Sequence, residues 1–188
     1  ELISFNSASE SYEVPTLIIP STINKYYILD LTAENSMIKY MIDSGIKVFC
    51  ISFNNLDKPD FSFEECLLEI INVINFITKN FEAPKINLLG YCLGGTMMTL
   101  ILNKVKDKIN SLSFLNTGLD YSSKGDFDFF VNDQTIPLVK EAAKLNGGCI
   151  KGQWLGQMFN YLKSKDAIWQ YFQNNYLFGN EPIKSDVM

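Results

Sequence analysis

The chain has 188 residues, 47% hydrophobic and 20% charged, a globular rather than a disordered composition that suits one ordinary domain with a packed core. A net charge of −5, with no basic cluster, argues against binding a phosphate backbone, so no nucleic-acid partner is expected. Four cysteines without a C-x-x-C pair, and no histidine anywhere, give no zinc site and fit free thiols in a reducing cytoplasm.

In chain order, Leu2 to Phe5 and Thr16 to Ile19 read as short strands, the second ending at Pro20. The opening Glu1-Leu2-Ile3 lacks the basic and apolar regions of a secretory leader, so none is read there. A helix is expected within Ala33 to Ser44, because Met37, Ile38, Met41 and Ile42 share a face and Gly45 supplies a stop. The run IKVFCIS, residues 46 to 52, predicts a strand buried on both faces, with Cys50 as a small hydrophobe.

Ser62 and Glu65 form a capping box for the next helix. Its apolar period runs through Phe63, Cys66, Leu67, Ile70, Ile74 and Ile77. Lys85 to Gly90 follows as a strand, Leu93 to Val105 as a helix and Leu112 to Leu115 as a strand. The apolar region from Ile86 to Val105 is interrupted by Asn87, three glycines, Thr96, Thr99 and Asn103. It therefore reads as a buried strand, turn and helix, with no membrane span. The alternation predicts an α/β fold whose parallel sheet is covered by helices on both faces.

From Gly118 onward the pattern becomes helical, with segments over about 132–145, 152–162 and 165–178. Trp169, Tyr171, Phe172, Tyr176 and Phe178 crowd the last, on more than one helical face, which fits a helical subdomain with an aromatic core. It also suits a lid over a site for apolar acyl groups. The expected organisation is a core over 1–117 and a helical cap over 118–188. Cys149 follows Gly147-Gly148 in a loop.

The chemistry concentrates in GYCLGG, residues 90 to 95, between a strand and a helix. In an elbow of the G-x-S-x-G type, a sharp turn lifts the nucleophile above the carboxyl edge of the sheet. Gly90 and Gly94 flank Cys92 where a β-carbon would clash, and Gly95 lets the helix pack closely on the sheet. The backbone N–H of Leu93 opens that helix. It and the helix dipole favour a thiolate and could support an oxyanion. A second oxyanion donor is expected from the loop after Thr16 to Ile19, at Thr22 and Ile23. The plain alternative is that Cys92 is only a small residue that fits a tight turn. A thiol nucleophile needs a base, and the chain has no imidazole. Asp120, Asp126 and Asp133 are read as turn formers or solvated charges, because a carboxylate is too weak a base for a thiol.

Three stretches carry a resemblance. PSTINKYYILDL at 20–31, GYCLGGT at 90–96 and DAIWQYFQNNYLFGNEP at 166–182 match, in order, motifs of the polyhydroxyalkanoate synthases. The sequence resembles that family, which belongs to the α/β-hydrolase superfamily, over nearly its whole length. Dienelactone hydrolases share G-Y-C-x-G-G but lack the other two stretches, so a thiol hydrolase of that type is the weaker alternative.

The resemblance implies an α/β-hydrolase-like sheet followed by a helical cap, with the C-terminal part of the sheet outside these residues. It implies an acyltransferase that polymerises 3-hydroxyacyl-CoA, with 3-hydroxybutyryl-CoA the expected substrate. The growing polyester would be held as a thioester on Cys92, with Leu93 N–H and the Thr22–Ile23 loop as the oxyanion hole. Coenzyme A enters as substrate, and no cofactor or metal is implied. The family's aspartate and histidine follow the cap, beyond Met188. The chain is thus expected to be a nucleophile half, inactive alone, with a companion chain able to supply both groups.

A homodimer through the cap and a cytoplasmic place, at the polyester granule surface, are further implications. Departures from the family pattern are Ser21 for a proline, Ser52-Phe53-Asn54-Asn55-Leu56 for S-W-R-N-P, and Asn116 to Tyr121 for T-T-L-L-D-F. A non-catalytic module that binds a companion chain or granule through the aromatic helix stands as the alternative from a different class.

Overall fold

The computed structural model describes residues 1–6, 12–53, 62–81, 83–122, 132–162 and 172–179. The chain divides into two compact units, 1–122 and 123–188.

The first unit holds five strands: β1 (Leu2–Phe5), β2 (Thr16–Ile19), β3 (Val48–Ile51), β4 (Ile86–Tyr91) and β5 (Ile109–Leu115). Their order across the sheet is β1-β3-β2-β4-β5. The pairs β3–β2, β2–β4 and β4–β5 are parallel, as the alternation of strands and helices predicts. The sheet is mixed rather than wholly parallel, because β1 pairs antiparallel with β3. A short apolar strand carries no sign of its direction. Residues 6–15 also suffice to join antiparallel ends, whereas a parallel return needs a longer crossover.

Helices cover both faces. On one, α2 (Phe63–Asn80) and α3 (Leu93–Val105) pack Ile70, Ile74, Ile77, Met97, Met98 and Ile101 against sheet residues including Leu17, Phe49 and Leu88. On the other, α1 (Met37–Asp43) sets Ile38 against Ile18, Val48 and Cys50. Every residue of β2 and β3 is buried, which is why β3 reads as an uninterrupted apolar run and β2 as one broken only by Thr16. Full burial of each such isoleucine contributes about 1.5–3 kcal/mol.

The helix starts follow local chemistry. Ser62 Oγ accepts from Glu65 N–H at 3.2 Å, and Glu65 Oε2 accepts from Ser62 N–H at 2.6 Å, closing the expected capping box. Helix α1 is shorter than its expected window, since Ser36 caps it by accepting from Lys39 N–H at 2.8 Å. The Ser36 hydroxyl donates in turn to Asp30 Oδ1 at 2.6 Å. Strand β5 begins three residues before Leu112. Its polar Asn110 and Ser111 both donate to Asn87 Oδ1 on β4, at 2.8 and 2.7 Å, a pairing that apolar patterning does not reveal.

In the second unit, α4 (Thr135–Leu145) and α5 (Gly152–Leu162) occupy two of the expected helical segments. Asn132 Oδ1 accepts from Gln134 and Thr135 N–H at 2.9 and 3.0 Å, so the first residues of the expected helix form its entry turn. A π-helical turn over Gln173–Leu177 carries Tyr176, whose ring stacks on Phe172 at 5.5 Å. Trp169 and Tyr171, with the rest of 163–171, lie outside the described residues. Among the described residues, no helix is long and apolar enough to cross a membrane and no cluster could hold a metal ion.

Candidate active site

Strand β4 ends in a turn at Cys92 and α3 starts immediately after it. Cys92 has φ 52° and ψ −123°, a conformation a non-glycine residue adopts at a cost of about 1–3 kcal/mol. Hydrogen bonds hold the turn. Cys92 N–H donates to Leu115 O at the end of β5 at 2.9 Å, and Gly95 N–H donates to Cys92 O at 3.0 Å.

The three elbow glycines have distinct reasons. A β-carbon on Gly90 would lie 2.4 Å from Gly95 Cα, so strand and helix touch through backbone alone. One on Gly94 would lie 2.0 Å from Ile19 O and 2.6 Å from Pro20 O. One on Gly95 would meet Thr117 Oγ1 at 2.2 Å. Thus the first turn of α3 presses on the end of β2 on one side and on Thr117, two residues past β5, on another.

The strand register places the remaining predicted site residues. Ile19 pairs with Gly90, so the loop leaving β2 starts at the same carboxyl edge that carries Cys92. Thr22 is half-buried and Ile23 more exposed. Ile23 N–H donates to Ser21 Oγ at 3.1 Å, and Ser21 is fully buried. Leu93 opens α3, where first-turn N–H groups have no partner within the helix.

The four thiols differ in environment. Cys50 and Cys66 are buried, whereas Cys92 and Cys149 are half-buried. Burial pushes the Cys50 thiol up to about 12, with the charge of Asp30 adding, and burial also raises Cys66. Both behave as the small hydrophobes expected from sequence. Tyr91, just before the elbow, is raised by burial and then by its neighbour Cys92.

Of the three aspartates set aside as bases, Asp120 is a turn former. Its Oδ1 accepts from Ser122 N–H at 2.8 Å, which holds the carboxyl below its ordinary value and makes it a poorer base still. Asp133 is exposed, and Asp126 lies outside the described residues.

Sequence patterning did not single out the residues that brace the elbow. Thr117 Oγ1 donates to Gly90 O and Leu115 O, each at 3.3 Å. Thr96 Oγ1 donates to Gly118 O at 3.0 Å and shares a hydrogen bond with Tyr121 OH at 2.9 Å. Gly95 signals in the sequence that something packs against it, but not that the neighbour is Thr117. A cleft of about 410 Å³ lined by Tyr12, Glu13, Val14, Thr16, Ile46 and Asn87 lies at the amino ends of β2 and β4, away from Cys92.

Residues 1–41 match the family model described as Poly-beta-hydroxybutyrate polymerase (PhaC) N-terminus. The whole chain is 34% identical over 196 aligned residues to the poly(3-hydroxyalkanoate) polymerase subunit PhaC of Rhizobium meliloti, covering 32% of that protein. Against the subunit of the same name from Cupriavidus necator, identity is 33%, over 93% of this chain and 31% of that protein.

Among solved structures, the Paleococcus ferrophilus monoacylglycerol lipase superposes with a TM-score of 0.54 at 15% identity, over 79% of this chain and 52% of the lipase. That likeness shows the α/β-hydrolase fold. The 188 residues therefore share ancestry with the poly(3-hydroxyalkanoate) polymerases, across the third of those proteins that they span.

Proposed function

We propose that Cys92 is the acyl-carrying nucleophile of a polyhydroxyalkanoate-forming acyltransferase. The observation that carries this reading is the strained turn, which presents a half-buried cysteine at the carboxyl edge of the sheet and is fixed by Leu115 and Gly95. A structural cysteine needs no positive φ; a nucleophile held clear of its strand does.

In the proposed step, the Cys92 thiolate attacks the thioester carbonyl of a 3-hydroxyacyl-CoA such as 3-hydroxybutyryl-CoA. The carbonyl π pair moves to oxygen, and the tetrahedral adduct collapses with loss of CoA thiolate, leaving an acyl thioester on Cys92. Leu93 N–H, together with a donor from the Thr22–Ile23 loop, stabilises the oxyanion. The chain-end hydroxyl then attacks the thioester carbonyl of the next 3-hydroxyacyl-CoA, losing its proton as the new ester bond forms and CoA thiolate leaves. This second attack needs a proton acceptor. These residues contain no imidazole, so the base and its partner carboxylate come from polypeptide outside them, in continuation or as a companion chain.

By the resemblance, residues 118–188 correspond to the family's cap region and would supply the surface for a homodimer. The reaction needs no cofactor beyond the CoA thioester. A cytoplasmic protein at the surface of a polyester granule fits this chemistry.

The test is CoA release from 3-hydroxybutyryl-CoA by the 188-residue chain. One equivalent per chain, released slowly and then stopping, is expected, with none from Cys92→Ala. Sustained turnover by this chain alone would contradict the assignment of the base to outside polypeptide.

One observation favours a binding role beside catalysis. In the second unit Leu138 and Leu145 on α4, and Tyr176, Leu177 and Phe178, are largely exposed apolar side chains suited to a companion chain or to polyester. Binding through it survives Cys92→Ala, whereas acyl transfer does not.

A further inference from the structure

The loop after β2 offers two candidate backbone donors, Thr22 N–H and Ile23 N–H, and the structure treats them differently. Ile23 N–H donates to Ser21 Oγ at 3.1 Å, within one short turn. Ser21 is fully buried, and the bond to the more exposed Ile23 is itself partly buried. The loop has little freedom to shift against the elbow. Gly94 contacts the carbonyls of Ile19 and Pro20 so closely that a single β-carbon would overlap both. The register Ile19–Gly90 fixes the same end of β2 to β4. Ser21 is therefore held at the root of the loop beside the nucleophile turn, with its side-chain oxygen already on the amide of Ile23.

We propose that Ser21 is a positioning residue that selects the second oxyanion donor: it withdraws Ile23 N–H and leaves the role to Thr22 N–H. An N–H engaged by a buried hydroxyl must break that bond, or share it, before it can serve a developing oxyanion. Among the described residues, the Thr22 amide carries no such tie, and it lies one residue nearer the packed root of the loop. A preorganised donor is worth more in the transition state than one that must first be released. The selection is particular to this chain, because it depends on a hydroxyl at position 21. A proline or alanine there would leave Ile23 N–H free. The inference rests on Cys92 being the nucleophile, and the test separates the two claims.

The probe is a short-chain alkyl trifluoromethyl ketone added to the isotope-labelled 188-residue chain. The Cys92 thiolate adds to the carbonyl carbon and the π pair moves to oxygen, giving a stable tetrahedral oxyanion. Intact mass shows whether one adduct forms and peptide mapping shows whether it sits on Cys92. Amide proton shifts then show which N–H groups donate to the oxygen.

The expected result is a Cys92 adduct in which the Leu93 and Thr22 amide protons move downfield while that of Ile23 stays in place. In Ser21→Ala, the Ile23 amide is expected to join them. An adduct on Cys92 with a downfield Ile23 amide in the unsubstituted chain, or with the same pattern in both chains, overturns the role of Ser21 and leaves the nucleophile standing. Absence of an adduct on Cys92 overturns both. A merely structural Ser21 would change stability without changing which amide moves.

Discussion

The amide of Cys92 donates to the carbonyl of Leu115 at 2.9 Å, tying the elbow to the strand beside it. That bond joins residues far apart in sequence, so the nucleophile turn is a property of the assembled sheet. The four consecutive residues Leu115 to Gly118 brace it: one by this carbonyl, one by the positive φ of Asn116, one by the Thr117 hydroxyl and one by the Gly118 carbonyl on Thr96.

The elbow glycines should tolerate change unequally. Gly94→Ala meets the backbone oxygens of Ile19 and Pro20 at 2.0 and 2.6 Å, which cannot move without shifting β2. It should cost at least about 3 kcal/mol in urea unfolding. Gly95→Ala meets mainly the Thr117 side chain. Adding Thr117→Ala removes the two closest atoms and should recover part of the loss, whereas no such partner rescues Gly94→Ala.

The thiols should react in two classes. Cys92 and Cys149 are half-buried and Cys50 and Cys66 buried, so iodoacetamide on the native chain should label the first two and spare the others. Peptide mass mapping reads the pattern, and prior unfolding in urea should bring all four into reaction.

Cys50 should make stability fall at alkaline pH. Its folded-state pKa is raised from 9.0 to about 12, so the unfolded chain loses the proton first as pH rises. The contribution is fully present below about pH 9 and is lost as pH climbs towards 12, by roughly 1.4 kcal/mol per pH unit. Cys50→Ala lowers stability at neutral pH by leaving a cavity but should flatten this slope. Urea midpoints of both chains across that range test it, and equal slopes would count against it.

Ser62→Ala should cost about 1 kcal/mol, because it removes the side-chain acceptor for Glu65 N–H and breaks the reciprocal box that starts α2. Thermal unfolding measures the loss, and Ser62→Thr should restore most of it.

Much of this architecture is legible in the sequence. The uninterrupted apolar run of β3 reflects burial on both faces, and Cys66, Ile70, Ile74 and Ile77 mark the inner face of α2. The elbow is legible because its glycines leave a fixed spacing around Cys92. The direction of β1 is not, since alternation carries no polarity. Nor is the start of β5, where Asn110 and Ser111 are satisfied by Asn87 across the sheet rather than by apolar packing. The engagement of Ile23 N–H by Ser21 is likewise invisible, because serine at a turn has several local partners to choose from. Leu115, Thr117 and Tyr121 reach the elbow only through the fold.

The most direct test of the account is peptide-mapped mass spectrometry of the chain after incubation with 3-hydroxybutyryl-CoA. The account predicts one hydroxybutyryl group per chain, on the peptide containing Cys92, released by hydroxylamine as a thioester and absent from Cys92→Ala. An acyl group found on another residue, or an equal mass gain in Cys92→Ala, would contradict it.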